Sequence, residues 1–190
     1  KVYEYNCDSA SCYMEEGLVQ EKWANHFGCS EGESSGEGLL EHLIEAWRAC
    51  DASGDDSRGE KRVLHIMQDR DLEETYHALY MQKAIEQAGI PCKVIHGVSG
   101  LAWDSAGNVV DADGVQIRWV WKTWAWETAL DQIRAECDDD AERLRTYQTD
   151  QPRVLAPRLV DVLLREGVMV YEPLWTLIPS NKAILPVLWM

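Results

Sequence analysis

Short apolar runs alternate along this chain with longer segments in which apolar residues recur at helical spacing. The runs have the length of buried strands and are too short for ordinary helices. Alternation of strands with helices favours an α/β fold, with a mixed sheet and flanking helices. Strands are predicted at residues 1–6, 62–67, 93–96, 118–121 and 168–171.

Helices are predicted in the segments between these strands. The first predicted helix contains apolar residues spaced to fall on one face, namely Leu39, Leu40, Leu43, Ile44 and Trp47. A second predicted helix covers residues 71–88 and ends at Gly89 and Pro91, and a third covers residues 157–164.

Glycine, serine and acidic residues mark the connecting segments. Residues 28–38 and 51–60 are expected to be loops. Turn residues on both sides of Val109 and Val110 predict a small β-meander over residues 101–121.

The composition is that of a single soluble domain. The chain has 190 residues, 46% hydrophobic and 27% charged, which is enough for a sizeable core. No apolar run approaches the length of a membrane span and no secretory signal opens the sequence, so we expect a cytoplasmic protein without membrane contact. The six cysteines are scattered without a CxxC pair and are expected to be reduced thiols.

The net charge narrows the choice of partners. A formal charge of −15 argues against nucleic acid, because binding phosphates requires clustered lysine and arginine. An acidic surface suits a cationic partner such as a polyamine, although many cytosolic proteins are acidic for solubility alone. The sequence leaves the oligomeric state open.

The opening segment carries two oxygen-bearing side chains on one face. On an extended strand, Glu4 and Asn6 point to one side and Tyr3 and Tyr5 to the other. A carboxylate and an amide oxygen side by side suit Mg²⁺. Spacing alone nevertheless favours a hydrogen-bonded strand end over a metal site.

Ser9 and Ser11 precede a segment that reads as the start of a helix. Either serine is a natural N-cap, and a capped N-terminus also offers free backbone amides to an anion. Cys12 lies beside them, but the local sequence supplies no histidine to activate it. We therefore assign Cys12 no catalytic role.

Acidic residues cluster at the start of the helix predicted at residues 71–88. Asp71 and Glu74 have capping-box spacing, and acids in a first turn favour the helix dipole. Two adjacent carboxylates, Glu73 and Glu74, could also hold an ammonium group, and His77 lies one turn beyond Glu73. From the residues alone, the structural explanation is the commoner one.

An aromatic segment, residues 119–128, begins within the strand predicted at residues 118–121 and extends beyond it. Alternating aromatic residues more often fill a core than a site. Lys122, Glu127 and Thr128 nevertheless put polar groups on this aromatic wall, as a pocket for a charged peptide requires. Lys122 and Glu127 could pair with each other and are left without a role. The tryptophans are Trp119, Trp121, Trp124 and Trp126.

Four segments resemble, in the same order, the glutathionylspermidine synthetases and trypanothione synthetases. These are ligases that use ATP to join the glycine carboxylate of glutathione to a polyamine nitrogen. The resemblance spans nearly the whole chain and implies ATP and Mg²⁺ as cofactors. The segments are residues 1–12 (KVYEYNCDSASC), then 65–69 (HIMQD) with 71–74 (DLEE) and 76–78 (YHA), then 121–128 (WKTWAWET), then 172–176 (EPLWT) with 181–186 (NKAILP).

The resemblance also implies roles for individual residues. Residues 172–186 are expected to be framework beneath the site. The implied site has Glu4 and Asn6 as Mg²⁺ ligands, Glu73 against the polyamine, and Ser9, Ser11, Glu74 and Thr128 against glutathione.

The implied fold is the pre-ATP-grasp and central part of an ATP-grasp-type C–N ligase domain, without a P-loop. Residues 1–190 are then expected to form a partial glutathionylspermidine synthetase-like domain. The resemblance places a phosphate-binding arginine and a further metal-binding aspartate before Lys1, and the ATP-binding lysines after this chain. We expect the fragment alone to be inactive.

Two kinds of function remain open. In the first, this chain supplies the glutathione and polyamine side of an active ligase, together with part of its Mg²⁺ site. The alternative is a non-catalytic glutathione- or polyamine-binding module, or a ligase of the same family that acts on a different peptide and amine pair.

Overall fold

The computed structural model describes residue 8 and residues 12–29, 31–53, 63–69, 71–146 and 156–189. Within this part of the chain, a four-stranded sheet has the order β2-β1-β5-β6, and every neighbouring pair is parallel. A separate two-stranded sheet pairs β3 with β4. The strands are β1 (Leu64–Gln68), β2 (Cys92–His96), β3 (Ala102–Trp103), β4 (Val109–Val110), β5 (Trp119–Lys122) and β6 (Met169–Tyr171).

Four of the predicted strands are confirmed to within two residues at each end. The strand predicted at residues 1–6 lies outside the described residues. The α/β class is confirmed as well. Among the described residues, antiparallel pairing occurs between β3 and β4 and in a bridge from Val110 to Gln116.

The helices surround the parallel sheet. A π-helical turn (Glu15–Val19) runs directly into α1, and a 3-10 turn (Leu174–Thr176) follows β6. The helices are α1 (Gln20–His26), α2 (Leu39–Ser53), α3 (Leu72–Gln87), α4 (Trp126–Thr146), α5 (Leu159–Leu163), α6 (Leu177–Ser180) and α7 (Ile184–Trp189).

The three predicted helices correspond to α2, α3 and α5, whereas α4 was not predicted. Its buried residues Trp126, Ala129 and Ile133 fall at helical spacing. Acidic residues fill the second half of α4, so its apolar period fades before the helix ends. Residues 51–53, expected in a loop, extend α2, and residues 54–60 lie outside the described part of the chain.

The fold has three layers because strand side chains alternate between the two faces of the sheet. Leu64 and Ile66 of β1 point to the face covered by α2 and α3. Met67 points to the opposite face, which α4, α5 and the hairpin cover. Two apolar cores therefore lie on either side of one parallel sheet, as is typical of α/β folds.

The connections make β1 and β5 the centre of this sheet. From β1 the chain passes through α3 on one face to β2, and from β5 it passes through α4 and α5 on the other face to β6. Neighbouring strands whose connections leave in opposite directions form a topological switch point, where a crevice opens at the carboxyl ends of the strands.

The meander predicted at residues 101–121 is wrong at its carboxyl end. β3 and β4 form the antiparallel pair, and Val110 bridges to Gln116. β5 then leaves the hairpin and pairs in parallel with β1 and β6. Trp119 and Trp121 face one core while Val120 faces the other, so β5 is apolar on both faces, as a central parallel strand requires.

Asp111 fastens the hairpin to the parallel sheet. One carboxylate oxygen lies 3.2 Å from Nε2 of the buried His65 on β1 and 2.8 Å from Nζ of Lys93 on β2. The other oxygen accepts hydrogen bonds from the backbone amides of Asp113 and Val115. Burial acts to raise the pKa of Asp111, but its hydrogen bonds, led by that from Lys93, outweigh burial and lower the pKa to about 2.

We predict that Asp111→Ala lowers the free energy of unfolding by about 2–4 kcal/mol, because it leaves the buried His65 and two partly buried amides without this acceptor. In the wild type this contribution is complete at pH values well above the ordinary pKa of 3.8 and is lost as the pH falls towards the folded pKa of about 2. Urea denaturation measures both effects.

Asp113→Ala is the matched control. Asp113 also contacts Lys93, at 2.9 Å, but its side chain is 76% exposed, so the expected loss is below about 0.5 kcal/mol. Equal losses in the two variants would contradict the anchoring role of Asp111.

Candidate functional site

Polar side chains gather where β1, β5 and β6 end. The amide of Asp69, directly after β1, donates to Oγ1 of Thr123, directly after β5, at 3.0 Å. Nε2 of Gln68 donates to Oγ1 of Thr75 in the first turns of α3 at 2.5 Å. Thr123 and Gln68 therefore hold the start of α3 against the carboxyl edge of the sheet.

Lys122, the last residue of β5, is fully buried. Its ammonium group donates to the carbonyl of Asp8 at 3.0 Å and to that of Trp124 at 2.6 Å, and lies 4.8 Å from the ring centroid of Trp126. Burial lowers the pKa of Lys122 to about 8, against the opposing influence of the Glu172 and Asp8 carboxylates. The ammonium thus binds these backbone carbonyls rather than Glu127, which is exposed.

Asp8 joins the amino-terminal segment to the start of α4. Its Oδ2 accepts a hydrogen bond from the amide of Trp126, the first residue of the helix, at 3.2 Å. Asp8 therefore acts as an N-cap supplied from a distant part of the sequence. Nε1 of the same tryptophan donates to the carbonyl of Glu172 at 2.8 Å, which ties the end of β6 to the same place.

Glu172 follows β6 directly and has a backbone φ of 60°, a left-handed conformation that is strained for a residue with a side chain. Burial raises the pKa of its carboxyl to about 7, although the charge of Lys122 and a hydrogen bond from Trp121 favour ionisation. Its Oε2 is buried and has no hydrogen-bond partner among the described residues.

Tyr13 connects this carboxylate to α3. Burial and the negative charge of Glu172 raise the pKa of the Tyr13 hydroxyl well above its usual value. The Tyr13 ring meets the His77 ring edge-on at 6.2 Å between centroids and stacks on Tyr80 at 6.4 Å.

Glu74 lies half-buried in the first turn of α3 beside Thr123 and His77. Burial raises the pKa of Glu74, while the hydrogen bond from Thr123 and the charge of His77 act in the opposite direction. Oε2 of Glu74 and Nδ1 of His77 are buried without a partner in the described parts of the chain.

The helix start around Glu74 has the expected structural role as well. Asp71 caps α3 by accepting a hydrogen bond from the amide of Glu73 at 3.0 Å. Asp71 therefore acts on Glu73 rather than on Glu74, whose amide would complete a capping box. The side chain of Glu73 is exposed.

The carboxyl edge of the sheet has buried hydrogen-bond acceptors for which the described residues provide no donor. Oε2 of Glu74 and Oε2 of Glu172 are both buried carboxylate oxygens, and burying such atoms unpaired is costly. Lys122 does not relieve them, because its hydrogen bonds go to backbone carbonyls. A ligand that brings N–H donors would suit this edge of the sheet. The described residues hold no group of three His, Cys, Asp or Glu side chains that could bind a metal ion.

Comparison with known proteins identifies the family. The profile described as "Glutathionylspermidine synthase preATP-grasp" matches residues 1–190, the full length of the chain. The chain belongs to this family. A bifunctional glutathionylspermidine synthetase/amidase of Escherichia coli K12 is 48% identical over 189 residues, which are 100% of this chain and 29% of the relative.

Two further relatives come from Crithidia fasciculata. A trypanothione synthetase is 38% identical over 194 residues, covering 100% of this chain and 28% of the relative. A glutathionylspermidine synthase is 30% identical over 204 residues, covering 96% of this chain and 26% of the relative. The chain thus spans less than a third of the length of these synthetases, and the matched profile is the pre-ATP-grasp part.

Some of the predicted site residues lie within the described part of the chain. Glu74 lies at the carboxyl edge of the sheet, Glu73 precedes it on the exposed side of α3, and Thr128 is exposed in the first turn of α4. The predicted Mg²⁺ ligands Glu4 and Asn6 and the predicted glutathione contacts Ser9 and Ser11 lie outside the described residues.

Sequence reasoning missed the roles of Asp8 and Glu172 at this edge. Residues 172–186 were expected to be framework, and the hydrogen bonds of Glu172 with Trp126 and Trp121 were not anticipated from the sequence. Asp8 had no local signal, because its partner Trp126 is 118 residues away.

Two further observations concern the cysteines and the helices. Cys12, Cys29, Cys50, Cys92 and Cys137, the cysteines within the described residues, are all free thiols. None of the described helices is long and apolar enough to cross a membrane.

We predict that Asp8→Ala lowers the free energy of unfolding by about 1–2 kcal/mol, because the amide of Trp126 loses its cap. Asp8→Asn retains a side-chain oxygen and should lose less. Chemical denaturation with circular dichroism measures the difference.

Asp131→Ala in the same helix serves as the control, since its pair with Arg134 is exposed and should change stability by less than about 0.5 kcal/mol. If Asp8→Ala and Asp131→Ala had the same effect, Asp8 would not be a cap of α4.

Proposed function

We propose that the full-length protein containing this chain is an ATP-dependent ligase that joins the glycine carboxylate of glutathione to an amine of spermidine. The observation that carries the proposal is the family match across all 190 residues, with synthetases among the relatives. The site adds support, because buried acceptors at the switch point suit a ligand with N–H groups.

The chemistry requires activation of the glycine carboxylate. A carboxylate does not acylate an amine at neutral pH, because its leaving group would be oxide. Phosphoryl transfer from ATP supplies a better leaving group by forming an acyl phosphate, which the amine then attacks. The protein must position three substrates and keep water from the acyl phosphate.

This chain supplies the glutathione and polyamine side of that site in our proposal. Glu74 binds glutathione together with Ser9, Ser11 and Thr128, and Glu73 binds the amine. The partial burial of Glu74 beside Thr123, with one oxygen unpaired, supports a binding role for this carboxylate. Exposure of Glu73 and Thr128 leaves both side chains accessible to substrate.

Glu4 and Asn6 are the proposed Mg²⁺ ligands. A carboxylate and an amide oxygen are hard ligands of the kind Mg²⁺ takes, with substrate phosphate and water completing its shell. When bound, the ion would neutralise charge on the transferring phosphate. Glu4 and Asn6 would hold the ion beside the phosphates of ATP.

Free thiols throughout the described part of the chain fit a reducing compartment. We therefore place the full-length protein in the cytoplasm, where a glutathione-using ligase would meet its substrate.

Mass spectrometry of the full-length protein incubated with ATP, Mg²⁺, glutathione and spermidine tests the proposal. We predict a product with the summed mass of the two substrates less one water, together with an equal amount of ADP. The equality follows because one phosphoryl transfer activates one carboxylate.

Reactions without ATP or with the amine omitted are the controls and should give no product. Binding of glutathione with ATP left intact would favour a non-catalytic binding module instead. ADP formation only with another peptide or amine would favour a family ligase for a different substrate pair.

A further inference from the structure

Glu172 has a geometry that the structural roles of its neighbours do not explain. It stands at the carboxyl end of β6 with a left-handed φ of 60°. The local fold maintains this strained backbone partly through the hydrogen bond from Nε1 of Trp126 to the Glu172 carbonyl. Strain of this kind persists where the surrounding structure fixes a residue, and it is common at binding sites.

The side chain of Glu172 accepts a hydrogen bond from Trp121 and retains one acceptor without a donor among the described residues. Its Oε2 is buried and unpaired within the described residues. The charge of Lys122 acts on this carboxylate, but the ammonium donates its hydrogen bonds to the carbonyls of Asp8 and Trp124 and lies 4.8 Å from the centroid of the Trp126 ring. The charge of Lys122 therefore favours the ionised carboxylate without occupying its free oxygen.

The residues around Glu172 indicate what kind of ligand would fit beside it. Tyr13 lies close enough for the charge of Glu172 to affect its hydroxyl, and the Tyr13 ring touches His77. His77 in turn lies beside Glu74, which has its own unpaired buried oxygen. The rings of Tyr13 and His77 thus link two partly buried carboxylates, each with one buried oxygen, and this arrangement suits an alkyl chain with amino groups.

We propose that Glu172 is a further substrate-binding residue, whose free oxygen accepts a hydrogen bond from an amino or ammonium group of the polyamine. The inference rests on the proposed function, since it adds a contact to the same site. It adds to that function an amine contact directly after β6, in a segment otherwise expected to be framework. Glu172 and Glu73 then bind different nitrogens of one linear amine.

Steady-state kinetics of Glu172→Gln in the full-length protein test this contact. The substitution keeps the size of the side chain, removes its charge and can turn an amide donor towards the amine. We expect the KM for spermidine to rise about 10- to 100-fold, because a hydrogen bond to a charged group is lost. The KM for glutathione should stay within about twofold of the wild-type value.

Glu166→Gln is the matched control, because it makes the same chemical change at an exposed acid shortly before β6 and should leave both KM values unchanged. An unchanged KM for spermidine in Glu172→Gln would overturn the proposal. A parallel rise in the KM for glutathione would also overturn it, because Glu172 would then act on the site as a whole.

A second measurement uses the wild-type protein and does not depend on the variant folding. Treatment with a water-soluble carbodiimide activates carboxyl groups, and a bound amine then forms an amide with the nearest one while the carbodiimide takes up the water. We expect peptide mass spectrometry to find a spermidine adduct at Glu172 that saturates with spermidine, whereas any adduct at Glu166 should not saturate.

The absence of a saturable adduct at Glu172 in a protein that forms product would overturn the inference and leave the ligase proposal intact. If the wild-type protein forms no product, the proposed function itself is wrong. Product formation by the wild type therefore separates the two failures.

Discussion

The buried ammonium of Lys122 holds together the elements on which the candidate site depends. Removing an unpaired charge from water costs several kcal/mol, so a fully buried lysine persists only with good partners. Those partners are the carbonyls of Asp8 and Trp124, the ring of Trp126 and the nearby Glu172 carboxylate. One side chain thus joins the amino-terminal segment, the turn after β5 and the start of α4, and it favours charge on Glu172.

The position of these groups follows from the topology of the sheet. Parallel strands end together at one edge, and the chain leaves β1 and β5 towards opposite faces. The residues that follow β1, β5 and β6 are Asp69, Thr123 and Glu172, so one edge collects polar groups from three separate parts of the sequence. Apolar cores pack on both faces of this sheet, and Oε2 of Glu172 remains without a partner among the described residues at its edge.

Local features of the fold were predictable, and distant contacts were not. The parallel strands appear as apolar runs, and α3 has a capping aspartate and a terminating glycine, so its limits were readable. Local sequence patterns did not predict α4, because acidic residues obscure its apolar period. They also placed β5 in a meander, because the pairing of β5 with β1 leaves no local signal in the sequence. Glu74 was proposed through family resemblance, whereas the contact of Lys122 with Asp8 spans 114 residues and could not be predicted from local sequence.

The central claim is that the carboxyl edge of β1, β5 and β6 is a substrate site of the full-length protein. A crystal structure of that protein with glutathione, spermidine and a non-hydrolysable ATP analogue tests it most directly. We predict that glutathione binds beside Glu74 and Thr128, and that an amino group of spermidine lies within hydrogen-bond distance of Glu172. Both ligands bound away from this edge, with Oε2 of Glu172 still unpaired, would contradict it.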